Sequence, residues 1–286
     1  MEFKKVDRLP INVKEVIKRR ISKRTYEERS LTEEDKKKLL EFNSTLTNPF
    51  GVEVKVQYIS KEKGADDVQL GTYGTIKGAK DFLAITVKDQ PYAMEAVGYQ
   101  FENLVLYATD MGIGTVWLAG TFKRKDFINA IKIGEDDLFP CICPLGYPAQ
   151  KQSFLEKITK ASLGSKKRKD WDKLFFLDDF TKVLTKADAG IYEDALEMLR
   201  LAPSATNSQP WAVVKEGNKF HFFCNYKNTL NDDVKKIKHI DIGIALSHFH
   251  QTAMSKGLNG SLQVQDIGFS IPDNMHYVLS YVAEKI

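Results

Sequence analysis

Two long apolar stretches in this chain carry the same punctuation. AVGYQFENLVLYATDMGIG sets Val97, Phe101, Leu104, Val105 and Ala108 on one helical stripe, with Gly98 inside it and Gly112 just past its end, 14 residues on. HIDIGIALSHFHQTAMSKGLNG repeats the device, since Gly243 and Gly257 are also 14 residues apart. Phe101, Val105 and Ala108 are matched imperfectly by Leu246, His250 and Ala253, and Met111-Gly112-Ile113 by Lys256-Gly257-Leu258. Chance could supply one such pair of spacings, but helix and strand elements recur in the same order beside it. The pattern predicts an internal duplication.

The flanking elements recur in a similar order. In the first half, Asn12 stands three residues before Glu15, with Val13, Val16, Ile17 and Ile21 at helical spacing, and Thr32 and Asp35 cap a second helix in LTEEDKKKLLEF. VEVKVQYI alternates Val52, Val54, Val56 and Tyr58 on one strand face, and DFLAITVK reads as a more buried strand. TVWLAGTF and CICPLGYP are further short strands or loops. The second half has a helix over 191–201 (Ile191, Ala195, Leu196, Leu199), then a hairpin about Gly217-Asn218 with WAVVK and KFHFFCNY as arms. The second long helix follows, and the chain closes on strand-like HYVLSYVAEKI. The class expected is α+β, with two halves packed on each other: 1–178 and a shorter 179–286.

Composition removes several function classes. The net charge of +4 is the small difference between 42 basic and 38 acidic residues, too little to argue for nucleic acid by itself. A basic run at 164–173, GSKKRKDWDK, reads as a solvated linker or as part of a nucleic-acid surface, but lacks the interleaved aromatics of the latter. The N-terminal MEFKKVDRLPIN has no apolar signal segment, and the longest clean apolar runs are the size of DFLAITV, so a cytoplasmic protein is expected.

Three cysteines, Cys141, Cys143 and Cys224, make no disulfide framework. Cys141 and Cys143 should share one strand face and pack in the interior. The histidines are His221, His239, His248, His250 and His276. His248 and His250, two apart on a helix, cannot share a metal from there. GTYGTIKGAK and DMGIGTVW are glycine-rich but stand outside the strand–turn–helix context of a dinucleotide fingerprint. No metal site and no nucleophile–base set emerges.

Two segments do carry chemistry. In RRISKR, Arg20, Ser22 and Arg24 stand two apart at a predicted helix end, so an extended chain there aims all three one way. Two guanidiniums and a hydroxyl suit a phosphate, although a solvated basic helix end would have the same composition. APSATNSQPW places Ser204, Thr206, Asn207, Ser208 and Gln209 between Pro203 and Pro210. The prolines stiffen a turn whose side chains can hydrogen-bond a polar heterocycle or polyol, or simply cap a helix-to-strand connection.

At these residues the chain resembles the FMN-dependent nitroreductase family, in its fused, pseudo-dimeric "putative TM nitroreductase" branch. RRISKR is similar to the family's Arg-x-Ser-x-Arg/Lys segment, APSATNSQPW to its Pro-Ser-x-x-Asn-x-Gln-Pro-Trp loop, and TVWLAGTF with PLGYP to a late strand, loop and strand end. The likeness covers most of the chain and implies a nitroreductase-like fold. Ordinary members are homodimers whose flavin lies between subunits, the Arg-x-Ser segment coming from one and the loop from the other. Here the first half has RRISKR but only STLTNPFG at its loop position, and the second has the intact loop without an Arg-x-Ser counterpart. One chain imitating a dimer, with one complete FMN site, is implied, whether or not the chain dimerises further.

Carried over by position, the resemblance assigns Arg20, Ser22 and Arg24 to the phosphate and polar edge of FMN, and Ile21 to backbone contacts. Pro203, Ser204, Ala205, Thr206 and Asn207 would cover the ring and ribityl chain, with Gln209 bracing that loop. Thr72 and Tyr73 would touch the ring, Leu118, Ala119 and Gly120 would run along the isoalloxazine, and Lys166 and Arg168 would reach the phosphate. Ala119 stands where well-studied dimeric members have a glutamate, so no nicotinamide or substrate contact is carried over from those enzymes at this position. The implied activity is hydride transfer from NAD(P)H through FMN to a nitroaromatic, quinone or flavin acceptor, with no side chain required as acid, base or nucleophile. A flavin-binding protein without turnover is the alternative.

Overall fold

The computed structural model describes residues 3–61, 71–150 and 167–284. The elements are α1 (Val13–Arg19), α2 (Glu33–Thr45), β1 (Val54–Ser60), β2 (Asp81–Lys88), α3 (Ala93–Asp110), β3 (Gly114–Thr115), α4 (Arg124–Ile128) and β4 (Asp137–Gly146), then β5 (Phe175–Leu177), α5 (Lys186–Ala189), α6 (Glu193–Arg200), β6 (Trp211–Glu216), β7 (Lys219–Asn225), α7 (Asp232–Ser255), β8 (Gly260–Gln263) and β9 (Met275–Ala283). Both caps expected of the first two helices form: Asn12 Oδ1 accepts from Glu15 N (3.4 Å) and Thr32 Oγ1 from Asp35 N (3.1 Å).

The strands make two sheets. The first runs β1-β2-β4-β3, the second β5-β6-β7-β9-β8. Without β5 the second sheet has the order of the first, with each antiparallel pair matched and a long helix inserted after the second strand of each. β5 pairs parallel to β6, so a strand from the expected first half completes the sheet of the second. The hairpin closes as expected, with Glu216 opposite Lys219 around Gly217-Asn218.

Between the sheets lie α3 and the inner part of α7, buried on almost every side. A helix apolar all round belongs in such a place. Their two glycines explain themselves here. A Cβ on Gly98 would sit 2.1 Å from the Ile240 carbonyl oxygen, and one on Gly243 2.1 Å from that of Glu95. The backbones touch, and only glycine permits it. The same sequence offset separates Glu95 from Ile240, Gly98 from Gly243, Glu102 from Ser247 and Asn103 from His248. The last four make reciprocal contacts, Ser247 Oγ to Asn103 Oδ1 at 2.7 Å and His248 Nε2 to Glu102 Oε1 at 2.9 Å. Such a self-complementary pattern is that of a two-fold interface.

The structure departs from the sequence reading in places. Ile21 lies outside α1 and is 50% exposed, because the chain turns extended at Arg20 (ψ 121°). α7 begins well before His239, at Asp232, capped by Asn231 Oδ1 on Val234 N (2.9 Å). The stripe of α6 starts after Ile191, which is exposed in a preceding turn. β5 and β8 are short strands recruited by their neighbours rather than by their own pattern. Cys141 and Cys143 are both fully buried in the core, on β4 opposite Ile85 and Leu83.

Candidate functional site

The segment after α1 is drawn out by pairing on both sides. Lys23 N bonds to Thr115 O (2.9 Å), Lys77 N to Arg24 O (2.9 Å) and Tyr26 N to Lys77 O (2.9 Å). Buried Tyr26 ties the end down, its hydroxyl 2.6 Å from the Lys23 carbonyl. This conformation puts Arg20 inside. Its side chain is only 6% exposed, and its Nε lies 3.8 Å from Glu102 Oε1 on α3. That is an ion pair but not a hydrogen bond, and the Arg20 Nε–H has no hydrogen-bond partner. Burial lowers the Arg20 pKa, and Glu102 opposes the shift.

The proline-bracketed turn lies between α6 and β6. Thr206, Asn207 and Gln209 all take positive φ (52°, 57° and 48°), a conformation that non-glycine residues hold only when surroundings dictate it. The constraints are visible. Asn207 N bonds to Ser204 O (3.0 Å) and Gln209 N to Ser204 Oγ (2.8 Å). The Gln209 side chain accepts from Lys169 N (2.8 Å) and donates to Asn207 O (3.1 Å). From beneath, α7 holds the turn at two points: Asp241 Oδ1 accepts from Ala205 N (2.9 Å), and Lys238 Nζ donates to Ser208 Oγ (2.6 Å).

The basic run is no linker where it is described, because it lies against this turn. Arg168 Nη1 donates to Asn207 Oδ1 (3.2 Å) and Nη2 to Leu201 O (3.1 Å), while Asn207 Nδ2 donates to Lys167 O (3.0 Å). Arg168 is brought down to about 10 by burial first, then by repulsion from Arg20 and Arg200. The Arg20 charge is thus felt at Arg168, which is itself hydrogen-bonded to the turn. Crowded, partly desolvated guanidiniums favour an anion among them.

Of the residues expected at the site, Arg168, Ser204, Ala205, Asn207 and Gln209 are joined by these contacts, while Arg20 stands on Glu102 within electrostatic reach of Arg168. Ser22 bridges Thr115 and Arg24 flanks Lys77, both on the same extended segment. Pro203 is half-buried, and Thr206 is exposed with its hydroxyl on the Ala205 carbonyl (2.7 Å). Thr72 is buried under a turn in which Tyr73 projects, 64% exposed at φ 47°. Leu118 is buried in the core and its backbone pairs with Ile142. Ala119 follows, half-buried against the core, then exposed Gly120, where a Cβ would meet nothing within 4 Å. Ile21 is exposed, and Lys166 lies outside the described residues.

Sequence reasoning missed the support behind these residues. Glu102, fully buried, accepts from Trp117 Nε1 (2.8 Å) as well as lying beside His248. Asp241, 2% exposed, has its second oxygen without a hydrogen-bond partner, and burial pushes it up to about 7, against the Ala205 N–H and Lys238. The signal existed: each is a lone charge inside an apolar helical stretch, where charges are rare unless used. Among the described residues no cluster of His, Cys, Asp and Glu could hold a metal ion, and no helix is long and apolar enough to cross a membrane.

Paired sheets clasping two buried helices make the α+β fold of the nitroreductases. The likeness is to the crystal structure of a "putative nitroreductase" from Thermotoga maritima, with a TM-score of 0.58, covering 95% of this chain and 94% of that one; at 21% identity it is a likeness of fold. The chain belongs to the family described as "Putative TM nitroreductase", whose model matches residues 12–253. A nitroreductase family protein from Clostridium difficile matches 53% of this chain and 92% of its own length, at 17% identity and a TM-score of 0.42. A nitroreductase with bound FMN from Bacteroides fragilis matches 50% of this chain and 92% of its own, at 18% identity and 0.40. No curated protein matches the chain.

Proposed function

We propose that this chain binds FMN non-covalently and acts as an NAD(P)H-dependent oxidoreductase of the nitroreductase type, passing electrons to a nitroaromatic, quinone or flavin acceptor. The observation that carries the reading is the hydrogen bond from Arg168 of the first half to Asn207 in the strained turn of the second, with the buried Arg20 charge within electrostatic reach of Arg168. The residues fit a flavin mononucleotide on their own chemistry. A buried, unbonded Arg20 Nε–H and crowded guanidiniums suit a phosphate, the turn offers short neutral hydrogen-bonding side chains, and the open space above Gly120 leaves room beside the main chain.

The flavin, when bound, supplies two-electron hydride exchange between a nicotinamide and an acceptor. Everything else falls to the chain. Arg20, Ser22, Arg24 and Arg168, with Lys166, hold the phosphate and the polar edge, and Ile21 contributes main chain. Pro203 to Asn207 cover the ring and ribityl side, Thr72 and Tyr73 approach the ring from the first half, and Leu118 to Gly120 line it with backbone. Gln209 keeps the turn in shape. The like order of the two sheets and the reciprocal contacts of α3 and α7 support a duplicated chain, halves 1–178 and 179–286, that makes from one polypeptide what a homodimer makes from two.

An absorption spectrum of the freshly purified protein tests this directly. Flavin bands that bleach within seconds of adding NADH or NADPH are the expected result. Colourless protein that takes up no FMN refutes the site. A stable yellow protein that neither nucleotide bleaches leaves the non-catalytic flavin binder, the reading that Ala119 in place of a glutamate favours.

A further inference from the structure

The buried group behind Arg20 has a proton inventory of its own. His248 on α7 is fully buried, and both of its ring nitrogens face acceptors: Nδ1 lies 3.0 Å from the Met198 carbonyl oxygen and Nε2 2.9 Å from Glu102 Oε1. A neutral imidazole has one N–H and can satisfy only one of them, whereas the imidazolium satisfies both. His250, two residues on, is the contrast. Its Nδ1 lies 2.9 Å from the Tyr99 hydroxyl, which can donate to it, and burial takes it down to about 4, so it is neutral. Glu102 has both oxygens engaged, Oε1 by His248 and Oε2 by Trp117 at 2.8 Å. Arg20 therefore sees the carboxylate charge at 3.8 Å without being captured by it.

We propose that Glu102 and His248 are positioning residues for Arg20: a cation–anion–cation triad spanning both halves, in which a protonated His248 occupies Glu102 and leaves the Arg20 guanidinium available to an anion. The triad rests on the FMN reading for the identity of that anion, a phosphate monoester. With His248 protonated, one carboxylate faces two cations, so the group is short of one negative charge, and Arg168 adds to the deficit. A half-satisfied buried network of this kind stays open until a ligand completes it.

The test separates phosphate from ring by comparing FMN with riboflavin, measured by fluorescence titration of the flavin-free protein. In His248→Gln the amide has no charge to hold Glu102, which closes on Arg20 Nε. FMN should bind about tenfold more weakly, while riboflavin changes less than twofold. In Glu102→Gln/His248→Gln nothing remains to capture Arg20, and FMN affinity should recover most of that loss. Equal weakening of both flavins by His248→Gln, no effect on either, or a double variant as weak as the single would overturn the proposal. Nitrogen-15 spectra of the flavin-free wild type at pH 7.5 check the triad without any flavin: two protonated ring nitrogens on His248 are expected, and a single neutral tautomer refutes it. Wild type that binds neither flavin would count against the FMN reading, and the nitrogen spectra would still decide the triad.

Discussion

Replacing Asp241 by Asn should change how stability depends on pH. Asp241 is pushed from its ordinary 3.8 up to about 7 by burial, the Ala205 N–H and Lys238 offsetting part of it. A carboxyl raised on folding is protonated in the native state while ionised in the unfolded one, between roughly those two values. Its contribution is therefore fully present below pH 3.8 and is lost as pH rises through about 7. Three powers of ten in proton affinity correspond to about 4 kcal/mol. His250 works in the opposite sense. Held at about 4 against an ordinary 6.5, it loses stability as pH falls through that window, by about 3 kcal/mol. The two slopes nearly cancel in the wild type, so its own curve is a poor probe. The difference between the wild type and Asp241→Asn removes His250 and every other group. That difference should favour the Asp241→Asn variant increasingly, by about 4 kcal/mol between pH 4 and pH 7.5. Urea unfolding followed by tryptophan fluorescence at four pH values measures it. The geometry permits the exchange, because an amide oxygen still accepts from Ala205 N. A difference curve that stays flat within about 1 kcal/mol would refute the claim that Asp241 is buried and uncompensated.

Other outcomes can be checked in the same preparations. Arg20→Ala should weaken FMN by about 1.5–3 kcal/mol, the range for a hydrogen bond to a charged group. Asn207→Ala, although on the other half, should weaken it by about 1 kcal/mol, and an unchanged titration would disprove the cross-half site. Gln209→Ala strips Lys169 N of its acceptor, so the turn should lose about 1–3 kcal/mol and its amides should exchange faster with deuterium. Gly243→Ala drives a methyl into the Glu95 carbonyl and should cost about 3 kcal/mol or prevent folding, seen as a fall in melting temperature of the intact chain.

Much of the fold was legible because it rests on short-range rules. Asn12, Thr32 and Gly217 mark ends and a turn by local chemistry that operates wherever the residues stand, and the structure uses each as the pattern implies. The repeated glycines were legible as a repeat, but their cause, two backbones in contact, required both helices to be seen at once. Ile21 was misplaced because apolar spacing continues past a helix end that is set by pairing with Thr115 and Lys77. β5 has only three residues, and nothing in FFL says that they will lie beside β6. The loop APSATNSQPW and the segment RRISKR were visible as unusual chemistry, while Glu102, His248 and Asp241 were passed over as members of apolar stretches.

By itself the amino-acid order marked most of the helices and the longer strands, a theme that recurs, and which short side chains gather in the stiffened turn. Propensity, capping and periodicity act over a few residues, and those are printed in the chain. The tertiary structure decided which charges share a place. Arg20 comes within electrostatic reach of Arg168, Glu102 lies between Arg20 and His248, and Asp241 is sealed beneath Ala205 only after α3 and α7 close on each other. Burial and distance set the strength of those interactions, and both come into being when segments far apart in sequence exclude water together.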